Sequence, residues 1–255
     1  MSDVAPLTGR IMVVTGASSG IGRGIALAAA RAGADVALTC HSNESGARQT
    51  AADIEKVGRR VMVSRMSLED ADSIHAVALE VSTTFGRIDA WVNNAGADIV
   101  TAGSDGMSRL DKLDLLLRVD LRGTMIASWT AAELMAAQPE GGVIVNVSWD
   151  HVPTGMPGTN PQLYAAAKGG ITAFSKGLAR SVAPRVRVNV VAPGWIETAF
   201  GAGVDRGVYR AVAESTPMKR WGTPADVAAA VIYLASPAAS FLTGTTINVG
   251  GGVVM

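Results

Sequence analysis

The stretch Arg10-Ile11-Met12-Val13-Val14-Thr15-Gly16-Ala17-Ser18-Ser19-Gly20-Ile21-Gly22 decides the fold of this chain. Residues 10–15 are a short apolar run, typical of a strand that is buried on both faces of a parallel sheet. Residues 16–22 are a glycine-rich turn, and the Ala-rich residues 23–32 predict a helix that Gly33 closes. In this context the glycines let a pyrophosphate approach the backbone, and the helix N-terminus offers free N–H groups. The spacing Gly-x-x-x-Gly-x-Gly is not the commonest glycine fingerprint of dinucleotide-binding proteins. The prediction of a phosphate site therefore depends on the position of these glycines between a strand and a helix.

The rest of the chain continues the alternation of strands and helices. Further strands are predicted at 35–40, 60–65, 87–92, 142–148, 185–191 and 245–249. Helices are predicted at 44–57, 68–85, 110–138 (one long or two shorter), 162–182, 209–214 and 224–234. This rhythm indicates right-handed βαβ units and an α/β, doubly wound parallel sheet of the Rossmann type, with about seven strands and helices on both faces. Because we find no repeat or linker, we expect residues 1–255 to form a single dinucleotide-binding domain, with a substrate flap around 195–220.

Composition narrows the classes of function. Lys plus Arg and Asp plus Glu both count 22, so the formal charge is zero and no nucleic-acid or membrane-surface partner is indicated. The single cysteine, Cys40, forms no internal disulfide, which fits a reducing compartment. Residues 1–10 lack the features of a signal peptide, and no apolar stretch is long and pure enough to span a bilayer. We therefore expect a cytoplasmic protein, and we predict no metal site.

The end of the second predicted strand bears on the choice of cofactor. A carboxylate at that point would bind a ribose 2′-hydroxyl and select NAD. The sequence there is Cys40-His41-Ser42-Asn43, with no acid before Glu44. A 2′-phosphate would be tolerated, and the side chains of residues 41–43 and of Arg48 could contact it. We therefore predict NADP and keep NAD open, since His41 is equally well explained as an exposed loop residue.

A second motif carries the chemistry. Tyr164 and Lys168 lie one helical turn apart and so share a helix face. An ammonium close to a phenol favours the phenolate and lowers the pKa of the Tyr, which makes it usable as a proton donor or acceptor near neutral pH. This spacing by itself also fits an ordinary amphipathic helix, so the other segments decide between the two interpretations.

Taken together, the motifs resemble the short-chain dehydrogenase/reductase family over nearly the whole chain. They occur in the family's order, each at the end of a predicted strand or on the expected helix. The sub-type resembles the one that includes 3-oxoacyl carrier-protein reductases, glucose dehydrogenases and many secondary-alcohol dehydrogenases. The matching segments are Thr15-Gly16-x-x-x-Gly20-Ile21-Gly22, Asn93-Asn94-Ala95-Gly96, Tyr164-x-x-x-Lys168, Pro193-Gly194-x-x-x-Thr198 and Leu242-Thr243-Gly244 … Asn248-Val249-Gly250-Gly251.

The resemblance implies an oxidoreductase that interconverts a small-molecule carbonyl and a secondary alcohol. Tyr164 would exchange the proton, and Lys168 would lower its pKa and bind the nicotinamide ribose. Homotetramers, or homodimers, would form through the long helices and the last strand. The residues implied to bind the cofactor are Gly16, Ser18, Ser19, Gly20, Ile21 and Gly22 at the pyrophosphate; Ser67, Asn94, Ala95 and Gly96 at the adenosine; and Pro193, Gly194, Ile196 and Thr198 at the nicotinamide.

Three positions depart from the family's pattern. The family usually has Asn in a Val-Asn-Leu stretch, where this chain has Asp120. Asp120 could still accept from a proton-relay water, but its charge would raise the pKa of Lys168 and partly cancel the pull of that Lys on Tyr164. A harmless near-isostere is the other interpretation. The adenine-contacting Asp of the family is replaced by Ser67, whose hydroxyl can still bond the ring.

The third departure is the catalytic Ser, which usually falls three residues after the strand's Asn. Counting from Asn146, that position holds Trp149, and Ser148 precedes it. The turn would have to rotate Ser148 into place, or Asp150 or His151 would polarise the substrate, or the site would be degenerate. We choose Ser148. The other hypotheses are a cofactor-binding protein with little reductase activity, and an enzyme of this fold that uses Asp150 or His151 for imine reduction or dehydration.

The sequence barely constrains the substrate. Several large apolar side chains are candidates for a pocket wall, and each could equally belong to the core or to a subunit interface. These candidates are Trp149, Met156, Trp195, Phe200, Tyr209 and Met218.

Overall fold

The computed structural model describes residues 5–100, 104, 106–198 and 203–255. Its sheet contains seven parallel strands in the order β3-β2-β1-β4-β5-β6-β7 within that part of the chain. The strands are β1 (Ile11–Val14), β2 (Asp35–Cys40), β3 (Val61–Arg65), β4 (Ala90–Asn93), β5 (Gly142–Val147), β6 (Val186–Pro193) and β7 (Thr246–Val249). The strand order reverses between β1 and β4, so a crevice opens at the carboxyl ends of these two strands.

Helices cover both faces of the sheet. They are α1 (Gly20–Arg31), α2 (Glu44–Lys56), α3 (Ala71–Phe85), α4 (Arg109–Leu116), α5 (Thr124–Ala137), α6 (Thr159–Val182), α7 (Arg206–Ser215) and α8 (Pro224–Ala235). A π-helical segment, Leu117–Gly123, joins α4 to α5, and Pro237–Ala239 form a 3₁₀ turn. These elements confirm the predicted doubly wound α/β fold. No helix in the described ranges is both long enough and apolar enough to cross a membrane.

Two apolar cores follow from the alternation of side chains along the strands. Met12 and Val14 of β1 pack with α1, α2 and α8 on one face of the sheet. Ile11 and Val13 point the other way and pack with α3, α5 and α6. Because successive side chains of a strand alternate between faces, a strand covered on both sides must be apolar throughout. That requirement is why the continuous apolar runs in the sequence predicted these strands correctly.

The structure differs from the sequence predictions mainly at the ends of elements. Helix α3 begins at Ala71 rather than 68, because the Asp70 side chain accepts a hydrogen bond from the Asp72 N–H and caps it there. The predicted helix at 110–138 is interrupted by the π-helical segment. In the predicted flap around 195–220, the structure shows α7, whereas residues 199–202 lie outside the described ranges. The single domain and the flap remain predictions.

Candidate active site

A cavity of about 610 Å³ lies at the carboxyl ends of β1, β2 and β4, and we call it the dinucleotide cavity. Most of the residues predicted to bind the cofactor line it, which places them in one continuous groove although they come from six separate segments. The predicted residues that line it are Gly16, Ser18, Ser19, Gly20, Ile21, Gly22, His41, Ser42, Asn43, Ser67, Asn94, Ala95, Gly96, Tyr164, Lys168 and Thr198.

The floor of the dinucleotide cavity is built from backbone in close contact. Gly16 has φ +67, and a Cβ on it would come within 2.8 Å of the Cα of Ala95. A Cβ on Gly22 would come within 2.2 Å of the Gly16 carbonyl oxygen. The side-chain amide of Asn94 donates to the carbonyl oxygens of Thr15 (3.0 Å) and Gly16 (3.2 Å). Asn94 therefore clamps the turn after β1 to the end of β4, and larger residues would force the two segments apart.

The N-terminus of α1 is open toward this cavity. Its cap residue, Ser19, is extended and makes no capping hydrogen bond with its side chain. By contrast, Asn43, Asp70 and Thr223 each cap the helix that they precede. The first N–H groups of α1, together with the partial positive charge of the helix end, are therefore available to an anionic ligand. This arrangement fits a pyrophosphate group.

The far end of the dinucleotide cavity is formed by the turn after β2. His41 and Ser42 are exposed there, and the oxygen of the Asn43 side chain caps α2 by accepting from the Gly46 N–H at 3.0 Å. Glu44 pairs with Arg48, and Glu44 Oε2 lies 3.7 Å from Arg48 Nη2. Arg48, which the sequence suggested as a further phosphate contact, is not among the lining residues. The turn thus presents no carboxylate in residues 40–43.

A second cavity of about 320 Å³ adjoins the first, and we call it the substrate-side cavity. Tyr164 borders both cavities, as do Ile21 and Thr198. Pro193, Gly194 and Ile196, which were predicted at the nicotinamide end, line this second cavity rather than the first. The predicted cofactor residues therefore extend across the junction, where a reactive ring would meet a substrate.

A buried polar network holds α6 against the sheet and so fixes Tyr164 and Lys168. Asn146 of β5 accepts from the Asn93 amide at 2.8 Å and donates to the Ser175 hydroxyl of α6 at 2.8 Å. The Ser128 hydroxyl of α5 completes the network, at 3.0 Å from the Asn93 amide. A buried network in which the members satisfy one another specifies one arrangement of the helices.

Asp120 and Lys168 form a buried ion pair below Tyr164. The Lys168 Nζ lies 2.9 Å from Asp120 Oδ2 and 5.3 Å from the centre of the Tyr164 ring. Asp120 Oδ1 accepts from the Ala97 N–H at 2.7 Å, which ties the π-helical segment to the loop after β4. The sequence placed Asp120 beside Lys168 correctly, but no pattern predicted the π-helical segment that carries it. Such segments occur often at functional sites.

The charges in this group act on Tyr164 in opposite directions. Burial opposes the charged form of Lys168, but the attraction of Asp120 and Tyr164 outweighs it and raises the pKa of Lys168 well above its ordinary range. Desolvation raises the pKa of Tyr164, Lys168 lowers it, and Asp120 raises it again. The net direction is upward, so the expected lowering of the Tyr164 pKa by Lys168 is outweighed.

Ser148 borders the substrate-side cavity, but its hydroxyl is engaged with α6. It donates to the Lys168 carbonyl oxygen at 2.9 Å and lies 2.8 Å from the Thr172 hydroxyl. Its side chain points toward α6, as that of Asn146 does, because residues two apart in a strand face the same side. Trp149 instead contacts Tyr164, with ring centres 5.4 Å apart.

Asp150 and His151, the next two residues, form a pair away from the cavity surface. His151 Nδ1 is 2.6 Å from Asp150 Oδ1, and both residues are buried. Neither residue lines the dinucleotide cavity or the substrate-side cavity. Of the candidates for a pocket wall, Trp149, Met156 and Trp195 border the substrate-side cavity, whereas Tyr209 and Met218 do not. Phe200 lies outside the described residues.

Comparison with known proteins agrees with this geometry. A family model described as enoyl-(acyl carrier protein) reductase matches residues 16–254. The 3-oxoacyl-[acyl-carrier-protein] reductase of Aquifex aeolicus is 37% identical over 252 residues, which cover 97% of this chain and 98% of that protein. The structure of a short-chain dehydrogenase from Burkholderia cenocepacia in complex with NADP has a TM-score of 0.87 at 32% identity, and the alignment covers 97% of this chain and 99% of that one.

A steroid-acting enzyme is also similar. The structure of a 7α-hydroxysteroid dehydrogenase in complex with NADH and 7-oxo glycochenodeoxycholic acid has a TM-score of 0.89 at 28% identity, with 100% of this chain and 98% of that one covered. The fold and site thus define a dinucleotide-dependent oxidoreductase of the doubly wound α/β class. The chain belongs to the short-chain dehydrogenase/reductase family, whose members use NAD or NADP.

Proposed function

We propose that this protein transfers a hydride between NADP(H) and a carbonyl or secondary-alcohol substrate, with Tyr164 as the acid/base. The observation that carries this proposal is the position of Tyr164, which borders the dinucleotide cavity and the substrate-side cavity at once. A proton donor must lie within hydrogen-bond reach of the reacting oxygen. Tyr164 occupies the junction where that oxygen and a nicotinamide ring would meet.

The residues of the dinucleotide cavity would hold the cofactor along its length. The open N-terminus of α1 and the turn at Gly20 and Ile21 would bind the pyrophosphate. Ser67, Asn94, Ala95 and Gly96 would face the adenosine part. Lys168 would bind the nicotinamide ribose, and Pro193, Gly194, Ile196 and Thr198 would enclose the ring. The nicotinamide, when bound, supplies or accepts the hydride, and the protein supplies orientation and proton management.

In the reductive direction, Tyr164 would donate its phenolic proton to the carbonyl oxygen as the alcohol forms. The ammonium of Lys168 would stabilise the phenolate that remains. Asp120 keeps Lys168 charged and neutralises part of its field, since the two groups form a buried pair at 2.9 Å. A Tyr with a raised pKa holds its proton at neutral pH, which favours carbonyl reduction there.

Ser148 stays our candidate for polarising the substrate oxygen, because it borders the same cavity as Tyr164. To do so, its hydroxyl would exchange one of its bonds to α6 for one to the substrate. Asp150 and His151 are less suited to this role, because they do not reach the cavity surface.

NADP is favoured over NAD by the absence of a carboxylate from the turn after β2. A 2′-phosphate would meet His41, Ser42 and Asn43, and no carboxylate from these residues would repel it. The similar Burkholderia cenocepacia structure contains NADP. The hydroxysteroid dehydrogenase contains NADH, so NAD is the competing cofactor.

For assembly we propose a cytoplasmic homotetramer, with a homodimer as the alternative. Trp129 on α5 is 45% exposed and packs edge-on against Phe174 of α6, with ring centres 5.5 Å apart. An exposed Trp that packs on a partly buried Phe of a second long helix favours a contact between copies. Sedimentation of the purified protein as a monomer at micromolar concentration would contradict this proposal.

Turnover of NADPH and NADH with ketones, aldehydes, 3-oxoacyl thioesters and cyclic imines tests the function. We expect oxidation of NADPH with one of the carbonyl classes and a loss of about 10³-fold in kcat for Tyr164→Phe, the scale of general acid catalysis. Tyr209→Phe, on α7 and away from both cavities, is the matched control. Cofactor binding without carbonyl turnover would favour the binding-protein hypothesis. Turnover that survives Tyr164→Phe would move the proton chemistry to Asp150 or His151.

A further inference from the structure

The buried pair of Asp150 and His151 has no part in the proton chemistry proposed above, yet the fold is built closely around it. Asp150 is fully buried, and its Oδ2 has no hydrogen-bond partner among the described residues. A Cβ on Gly194 would come within 2.5 Å of that oxygen, and one on Gly250 within 2.0 Å. The carboxyl group therefore fills a slot between the ends of β6 and β7. Because an unsatisfied buried carboxyl oxygen is costly, its presence calls for an explanation.

The pair supports an aromatic wall. The His151 ring stacks on Trp149, with centres 5.0 Å apart and an interplanar angle of 22°. On its other side, His151 meets Trp195 edge-on at 6.4 Å. Both tryptophans border the substrate-side cavity, and His151 does not. We call Trp149, His151 and Trp195 the aromatic wall. His151 covers one face of the Trp149 ring. The rest of the Trp149 ring contacts Tyr164 and borders the cavity.

The rest of the lining of the substrate-side cavity is mostly apolar. Among its described lining residues, none is Lys, Arg or His, and Asp98 is the one acid. A phosphorylated or carboxylated substrate would therefore find no basic partner there. Aromatic rings, in contrast, pair favourably with other rings in edge-on or offset geometry. The Trp149 indole lies beside Tyr164. It fills space that a small hydroxyl side chain at this position would leave open.

We propose that the aromatic wall makes the enzyme selective for uncharged ketones that carry an aromatic ring one carbon away from the carbonyl, as in 2-tetralone, and that Asp150 and His151 are positioning residues for this wall. The inference rests on the proposed function and adds the substrate class to it. Asp150 holds the His151 ring through the 2.6 Å contact, and the His151 ring holds Trp149 against Tyr164. The substrate ring would pack on the wall while its carbonyl oxygen faces Tyr164.

A pair of ketones with the same fused skeleton tests the wall. 2-Tetralone has one aromatic ring, whereas trans-2-decalone is fully saturated. With NADPH, we expect kcat/KM for tetralone to exceed that for decalone by about fivefold, the scale of one aromatic ring pair. Trp149→Leu should remove this preference, and Trp149→Phe, which keeps a ring, should retain most of it. An unchanged preference in Trp149→Leu would overturn the proposal, as would a wild type that prefers decalone or an extended 3-oxoacyl thioester.

A substitution of His151 tests whether Asp150 and His151 position the aromatic wall or only stabilise the fold. His151→Gln keeps a donor for Asp150 but loses the ring. We expect it to raise KM for tetralone about threefold while kcat for decalone and the thermal midpoint stay close to wild type. Equal losses with both ketones would show a structural role alone and would contradict positioning.

Binding measured without turnover keeps the two proposals apart. By calorimetry in the presence of NADPH, which cannot oxidise an alcohol, 2-tetralol should bind the wild type several-fold more tightly than trans-2-decalol, and Trp149→Leu should bind the two alike. If no ketone is reduced, the proposed function fails while the calorimetric preference still supports the wall. If ketones are reduced through Tyr164 without either preference, the function stands and the wall is refuted.

Discussion

The dinucleotide cavity and the substrate-side cavity share Tyr164 but are built in different ways. The first is formed largely by backbone, where Gly16, Gly22 and the end of β4 approach too closely for side chains. The second is formed by side chains such as Trp149, Met156 and Trp195, which come from the loops that follow β5 and β6. Close backbone approach requires glycine and leaves a pattern in the sequence. A wall of side chains leaves none, because many residues can fill the same space.

The largest effect is expected from Gly22→Ala, which adds a side chain to the closely packed backbone of the dinucleotide cavity. The added Cβ would lie 2.2 Å from the Gly16 carbonyl oxygen and 2.5 Å from the Asn94 amide nitrogen. We expect the free energy of unfolding to fall by about 3 kcal/mol, and cofactor affinity to fall more than tenfold, because the turn must move. Denaturant titration and cofactor fluorescence measure the two effects.

Gly177→Ala in α6 is the matched control, since a Cβ there meets nothing within 4 Å. It should stabilise the protein by roughly 0.5–1 kcal/mol through helix propensity. Equal effects of the two substitutions would contradict the role given to backbone approach.

A smaller effect is expected at the far end of the dinucleotide cavity, with His41→Asp. The new carboxylate would repel a 2′-phosphate and accept from a 2′-hydroxyl. We expect kcat/KM with NADPH to fall by about tenfold and that with NADH to rise, a change that corresponds to roughly 1.4 kcal/mol per factor of ten. Ser45→Asp, which adds the same charge at an exposed position outside the cavity lining, should change the ratio little. A wild type that prefers NADH would refute the prediction of NADP.

The smallest shift is expected where the two cavities meet, with Asp120→Asn. Desolvation raises the pKa of Tyr164, Lys168 lowers it and Asp120 raises it, so removing the Asp120 charge should lower that pKa. Alcohol oxidation needs the phenolate, so the rising limb of its kcat/KM profile should move to lower pH. Carbonyl reduction needs the phenol, and its alkaline limb should move the same way.

The control for this shift is Asp53→Asn, which removes a carboxylate that is paired with Arg23 and Lys56 on the protein surface. Its pH profiles should match those of the wild type. Profiles of Asp120→Asn that stay in place, or that move to higher pH, would show that Asp120 does not act on Tyr164 through charge.

Asp120 and Ser148 show which features of the site could be predicted from the sequence and which could not. It predicted the pairing of Asp120 with Lys168, because the family motif fixes which helices face each other. It did not predict that this pairing, together with burial, raises the pKa of Tyr164, because desolvation depends on packing that no local pattern encodes. Likewise, strand alternation indicated the direction of Ser148, but its bonds to Lys168 and Thr172 depend on the register between β5 and α6.

The sequence by itself determined the doubly wound α/β fold, the glycine turn between β1 and α1 and the shared helix face of Tyr164 and Lys168. These features follow from local requirements: apolar runs for strands covered on both faces, glycine where backbones touch, and helical spacing. Only the tertiary structure decided that Asp150 and His151 lie behind the cavity surface and hold Trp149 against Tyr164. Although Trp149, Asp150 and His151 are consecutive, their positions are set by packing against Tyr164, Gly194 and Gly250, which come from later segments of the chain.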